Sequence, residues 1–135
     1  MVWHGVQCSD PQVIARAREL CERMSVPFYC IDVSCQFRKQ VADRFISDYL
    51  SGKTPNPCVV CNETIKFTYF YDRLREMLEN DGIITGGDTL LYATGHYAGI
   101  VEKEGKLFIS KAKDLRKDQS YMLYRLPQEL LGRIR

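Results

Sequence analysis

No run in this 135-residue sequence is apolar for long enough to cross a membrane, and the opening Met1-Val2-Trp3-His4 lacks the charged and apolar regions of a secretory signal. The expected location is therefore the cytoplasm, with the mitochondrial matrix as the alternative, and no membrane partner. Charge of one sign is also scarce. Nineteen basic residues against seventeen acidic ones leave a net charge of +2, too little to point to a nucleic-acid partner from the overall field, so RNA binding has to be argued from sites. Repeats and low-complexity tracts are missing. What remains, 45% hydrophobic and 27% charged residues, is the composition of a soluble globular chain with room for one domain and a core.

Six cysteines in a chain without a secretory signal argue for thiols rather than a disulfide framework. Cys8, Cys21, Cys30 and Cys35 fall on no paired metal spacing and read as small buried or incidental side chains. Cys58 and Cys61 differ. They close the stretch Thr54-Pro55-Asn56-Pro57-Cys58-Val59-Val60-Cys61-Asn62, whose prolines restrict φ and remove two donors, predicting a stiff extended loop. Beyond it Phe67, Phe70, Leu74, Met77 and Leu78 recur at three- and four-residue steps, predicting a helix to about Glu79. Both thiols then sit near a helix N-terminus, where unpaired N–H groups and the dipole favour the reactive thiolate.

The rest of the chain alternates helices with short apolar runs. Asp10-Pro11 is an N-cap followed by proline at the first helical position, opening a helix to near Ser25 with Val13, Ala17, Leu20, Cys21 and Met24 on one face. Residues 26–33 and 90–94 read as buried strands. Phe37, Val41, Phe45 and Tyr49 predict a helix over about 35–51, stopped by Gly52. Tyr97 to Val101 and Lys106 to Ser110 flank a glycine-containing turn and predict a hairpin; a basic loop over 111–117, one or two helical turns over Ser120 to Arg125, and a helix from Pro127 to the end at Arg135 follow. The expected fold class is α/β: an incomplete Rossmann-like parallel sheet with helices on both faces, plus a β-hairpin. Its expected division is a nucleotide-binding unit over 1–95, the hairpin over 96–112, and a loop with the start of a helical region over 113–135. In such open sheets ligands sit beyond the carboxyl ends of the strands, where Gly95 falls.

The proline-cysteine stretch, Thr94-Gly95-His96-Tyr97-Ala98 and Lys117-Asp118-Gln119-Ser120-Tyr121, taken together and in this order, resemble the tRNA-specific 2-thiouridylases, enzymes that put sulfur on the wobble uridine. The resemblance implies the adenine-nucleotide-hydrolase type of fold, ATP with Mg2+ as the activating nucleotide, tRNA as substrate, and a persulfide donor fed by a cysteine desulfurase or relay protein. Residue by residue it makes Cys61 the nucleophile. It places Asn56, Pro57 and position 58 at the target base, Gly95 at ATP, and His96, Lys117, Asp118 and Gln119 at tRNA. For Gly95 and His96 the residues alone suggest only a turn into the hairpin and its cap.

Many members of that family carry Asp at position 58, whereas this chain has Cys58. Two thiols at this spacing, with a third from elsewhere, could hold a 4Fe-4S cluster with one iron open to sulfide; zinc is third, since only one Cys-x-x-Cys is present. The persulfide route is preferred. A binding-only RNA domain without chemistry is the remaining alternative. The family's Ser-Gly-Gly-x-Asp-Ser phosphate loop is missing, and so are its second catalytic cysteine and C-terminal β-barrel. The expectation is therefore a central fragment, inactive in thiolation by itself, with Met1-Val2-Trp3 a remnant of a strand.

Overall fold

The computed structural model describes residues 10–135, so Cys8 and the strand remnant at Met1-Val2-Trp3 lie outside the described residues. Helix α1 spans Pro11–Arg23 and starts as its sequence dictates: the Asp10 carboxylate accepts the Gln12 N–H at 2.8 Å, and Pro11 occupies a first-turn position that needs no donor. It closes where Ser25, at φ +53°, donates to the Glu22 carbonyl and Val26 reaches back to Cys21. Helix α2 comprises Ser34–Phe37, a wide π turn over Arg38–Ala42, and Asp43–Leu50. It ends in the same motif with Gly52 at φ +79°, a conformation glycine adopts without a Cβ clash.

Helix α3 begins at Pro57, earlier than the predicted loop allowed. It runs through Pro57–Val60, a π segment Cys61–Tyr69, and Phe70–Asn80. The apolar stripe predicted an ordinary α-helix. The long wide segment instead draws its backbone bonds five residues back, as from the Phe70 N–H to the Ile65 carbonyl, and the Thr68 hydroxyl likewise bonds the Glu63 carbonyl at 2.7 Å. Hydrogen-bond register of this kind follows from tertiary packing on both sides of the helix, to which a spacing of apolar residues is blind.

The hairpin pairs β1, Ala98–Lys103, with β2, Lys106–Lys111, antiparallel, with Lys103 opposite Lys106 across a two-residue turn. Glu104 and Gly105 have φ of +53° and +73°, the doubly left-handed turn that matches strand twist. Single 3-10 turns follow at Leu115–Lys117 and Ser120–Met122, then α4 over Gln128–Leu131.

The predicted parallel sheet is not seen among the described residues. Within 26–33 Asp32 makes an isolated β-bridge, and 90–94 contribute one parallel bridge, Tyr92 to Ile134, made by the Tyr92 N–H to the Arg133 carbonyl at 2.7 Å and the Arg135 N–H to the Tyr92 carbonyl at 3.0 Å. A strand needs a neighbour to exchange hydrogen bonds with, and parallel neighbours come from distant sequence. The inward alternation survives without the ladder: Ile31 and Val33 are buried while Cys30 and Asp32 are exposed.

Two apolar clusters flank α3. Ile31, Val33, Val41 and Ile65 form one, with Phe37, Val60, Cys61, Phe70, Leu74 and Met77 against it. Phe67, Leu123, Leu126 and Leu131 form the other, under the inward side chains of the hairpin and beside Tyr92. Ile65 and Phe67, two residues apart, serve opposite sides, so α3 is the wall between them.

Candidate functional site

Asn56 sets the start of the site. Its side-chain oxygen accepts the Cys58 N–H at 3.1 Å and the Val59 N–H at 3.4 Å, and Pro57 has no N–H to satisfy, so the first turn of α3 is capped from within. This changes the picture drawn from the sequence, in which unpaired amides faced the thiols; the amides at 58 and 59 are occupied, leaving the helix dipole as the local backbone term. Both cysteines are reduced thiols inside the helix, Cys58 exposed in the first turn and Cys61 half-buried one turn later at the head of the π segment. One flank of Cys61 packs on the cluster of Ile31, Val33, Val41 and Ile65, so the residue is neither sealed in the core nor fully open.

Among the described residues no group of three or more His, Cys, Asp or Glu side chains could hold a metal ion. Among the described residues the donor set there is the two thiols of Cys58 and Cys61, and Cys8 lies outside those residues.

Gly95 is exposed, and a Cβ built on it would meet nothing within 4 Å. Nothing inside the described chain requires glycine here. His96 is half-buried. Its ring lies 5.7 Å from the Phe67 ring, and Nδ1 is 3.0 Å from the Thr94 hydroxyl. Burial, and secondarily the Lys66 charge, push its pKa below the usual imidazole value, favouring the neutral form. His96 also lines an open, mainly apolar cavity of about 530 Å³ between Phe67, the hairpin and α4. None of Cys58, Cys61, Gly95 or Lys117 to Gln119 lines that cavity.

The 117–119 loop is built by reciprocal bonds. Gln119 donates its N–H to the Tyr97 carbonyl at 2.8 Å, and its side-chain oxygen accepts the Tyr97 N–H at 2.9 Å. Asp118 accepts the Ala112 N–H and the Ser120 hydroxyl, each at 2.7 Å; the Ser120 hydroxyl foremost, then the Ala112 N–H, hold its carboxyl below the usual carboxylate range. Lys117 is exposed, with its ammonium 5.2 Å from the centre of the Tyr97 ring. Asp118 and Gln119 therefore hold the loop to the hairpin, and Lys117 is the member of the three with its charge turned outward.

The residue that the sequence left without a role is Asn62. It is 1% exposed, donates to the Met122 carbonyl at 3.3 Å, and its side-chain oxygen has no partner. Asparagine directly after a reactive-type cysteine offers no signal by itself; only the fold brings Met122 to it. The head of α3 and the Ser120–Met122 turn thereby join the cysteine segment to the basic loop.

The family described as tRNA methyl transferase HUP domain matches residues 2–135. Individual relatives are tRNA-specific 2-thiouridylases: MnmA 1 of Clostridium tetani is 43% identical over 122 residues, covering 90% of this chain and 31% of the relative. MnmA 2 of Clostridium botulinum is 45% identical over 117 residues, covering 87% and 30%. MnmA 1 of Syntrophus aciditrophicus is 41% identical over 129 residues, covering 96% and 32%. The chain spans about a third of the length of the curated relatives it matches. A HUP domain is Rossmann-like α/β, the class expected from the alternation of helices and apolar runs. On a match that runs from the second residue to the last, this chain belongs to the tRNA methyl transferase HUP domain family, in company with the tRNA-specific 2-thiouridylases.

Proposed function

We propose that this chain is the portion of a tRNA 2-thiouridylase that carries one reactive cysteine and a tRNA-contacting loop. The family description and the relatives' names agree on tRNA and differ on the group transferred. The cysteine at the head of the π segment favours sulfur, because a half-buried thiol one turn into a capped helix is a nucleophile in a defined orientation. That observation carries the reading.

Uridine C2 is a poor electrophile, and adenylation by ATP is what turns its oxygen into a leaving group, departing within AMP. The terminal sulfur of a cysteine persulfide forms the new bond to C2; a second thiol then attacks the carrier sulfur, so the S–S bond breaks, the two protein sulfurs leave as a disulfide, and sulfur stays on the base. Cys61 is one of those two thiols. Gly95, open to the outside with no neighbour in the space a Cβ would take, suits close approach of the nucleotide. Neutral His96 and outward Lys117 suit a base and a phosphate respectively. Asn56 and Pro57 fix the turn that would present Cys58 to the target base, with Asn56 acting through its cap. Asp118 and Gln119 serve tRNA by shaping the loop that carries Lys117. The nucleotide is taken to be ATP with Mg2+, the sulfur to come from a cysteine desulfurase or relay protein, and the site of action to be the cytoplasm or the mitochondrial matrix. Among the described residues no helix is long and apolar enough to cross a membrane.

The test is ATP-dependent incorporation of labelled sulfur into tRNA. With the activity of a form that includes the phosphate-binding loop as reference, Cys61→Ser abolishes incorporation while tRNA affinity is retained, and the 135-residue polypeptide alone incorporates nothing. Retention of incorporation in Cys61→Ser would refute the assignment.

A further inference from the structure

We infer that Asn62 is a positioning residue: it ties the helical turn carrying Cys61 to the Ser120–Met122 turn, so that RNA engaged by the Lys117–Gln119 loop reaches the Cys61 sulfur as a change in its placement. The inference rests on the reading of the chain as RNA-modifying and deepens it.

Three observations carry it. First, Asn62 is almost wholly buried with one half of its amide spent on the Met122 carbonyl and the other half unpartnered. An apolar side chain of similar volume would fill that space without leaving a buried acceptor unmet, so the amide acts here as a directional link. Second, the link is doubled. Arg125 pairs with Glu63 at 2.9 Å, both side chains about a third exposed, so two successive residues after Cys61 grip the same 120–125 segment. Third, that segment has little slack at its other end. Gln119 is bonded both ways to Tyr97, and Asp118 bonds Ala112 and Ser120, so the chain from Lys117 to Met122 is pinned to the hairpin on one side and to α3 on the other.

What these links hold is the head of the nine-residue π segment Cys61–Tyr69. A π segment accommodates an extra residue relative to an α-helix, so its register differs from that of the α-helical turns on either side. One residue of α-helix is about 100° of rotation about the axis, so a one-residue change of register would swing the Cys61 sulfur across a large arc. A pull or release on Met122 and Arg125 therefore acts at the point where helix register sets the orientation of the Cys61 side chain.

The experiment measures the alkylation rate of Cys61 by iodoacetamide in the full chain, read by peptide mass spectrometry, with and without saturating unmodified tRNA, alongside tRNA affinity. In the parent, tRNA changes the rate by at least about fivefold. In Asn62→Ala, and in the isosteric Asn62→Asp, which sets an acceptor against the Met122 carbonyl, affinity is kept and the tRNA effect is lost. Glu63→Arg weakens the effect and Glu63→Arg with Arg125→Glu restores it, a rescue that general loss of stability would not produce. If the Asn62 variants lose their fold by circular dichroism, the charge-exchange pair decides. A tRNA effect in Asn62→Ala equal to the parent's, a parent that binds tRNA without any effect, or a charge exchange that fails to rescue overturns the inference while leaving the functional reading intact. A parent that does not bind tRNA at all overturns that reading, and the inference with it.

Discussion

The two halves of the molecule look alike in sequence and differ in packing. On one side, α3, the hairpin and the last turns close around Phe67, Leu123, Leu126 and Leu131. On the other, α1 buries no residue at all: Val13, Leu20 and Met24 are half or more exposed, and in the second part of α2 Ile46, Tyr49 and Leu50 are more than half exposed. Both halves carry well-formed amphipathic stripes. The difference teaches that a stripe states which face of a helix is apolar, while burial depends on what lies opposite. The residues singled out from the motifs lie on α3 or beside the hairpin, and Cys61 among them packs on the cluster of Ile31, Val33, Val41 and Ile65.

The sharpest way to break this contrast is to truncate one residue from each half. Phe67→Ala should cost about 3–5 kcal/mol in denaturant unfolding, since a fully buried aromatic leaves a cavity lined by Tyr92, His96 and the α4 leucines, whereas Leu20→Ala or Leu50→Ala should stay within about 0.5 kcal/mol. Comparable losses in the two halves would mean that the stripe of α1 and α2 is covered in solution. Next in size, Gly105→Ala places a Cβ at φ +73° in the hairpin turn and should cost about 1 kcal/mol, separating hairpin strain from core packing in the same assay.

A smaller effect is read by pH. His96 prefers to be neutral in the folded state, so its folded pKa lies below the unfolded one, and the unfolded chain binds more protons in between. Stability owed to neutral His96 is complete above the usual imidazole value of 6.5 and falls as pH drops through the window below it. NMR titration, in which His4 is the one other histidine, should give His96 the depressed midpoint; Lys66→Gln should raise it, and a midpoint at or above the ordinary value would contradict the packing of His96 against Phe67. Asp118 carries the opposite charge but the same sign of linkage: its depressed pKa keeps the loop tether at neutral pH, and that stability too is lost as pH falls from the ordinary carboxylate value through the folded one. Asp118→Asn should accordingly speed hydrogen exchange at the Ala112 amide and leave the hairpin register untouched.

Local rules were legible without coordinates. The Asp10-Pro11 start, the glycine stop at Gly52 and the hairpin around Gly105 depend on the φ preferences and capping groups of a few adjacent residues, and each appears where those preferences place it. The proline-cysteine stretch, Gly95-His96 and Lys117-Asp118-Gln119 were identifiable as a constellation, and the family match over residues 2–135 agrees with that identification at the level of the family. Tertiary structure alone decided the rest. It set how far residues 26–33 and 90–94 pair, because strand pairing needs a partner distant in sequence. It widened α3 into a π segment from Cys61, and it turned Asn62 inward to meet Met122, sixty residues away. Short-range energies are written in neighbouring residues and can be read there; hydrogen-bond register and buried polar links are settled between segments far apart in sequence, so only folding reveals them.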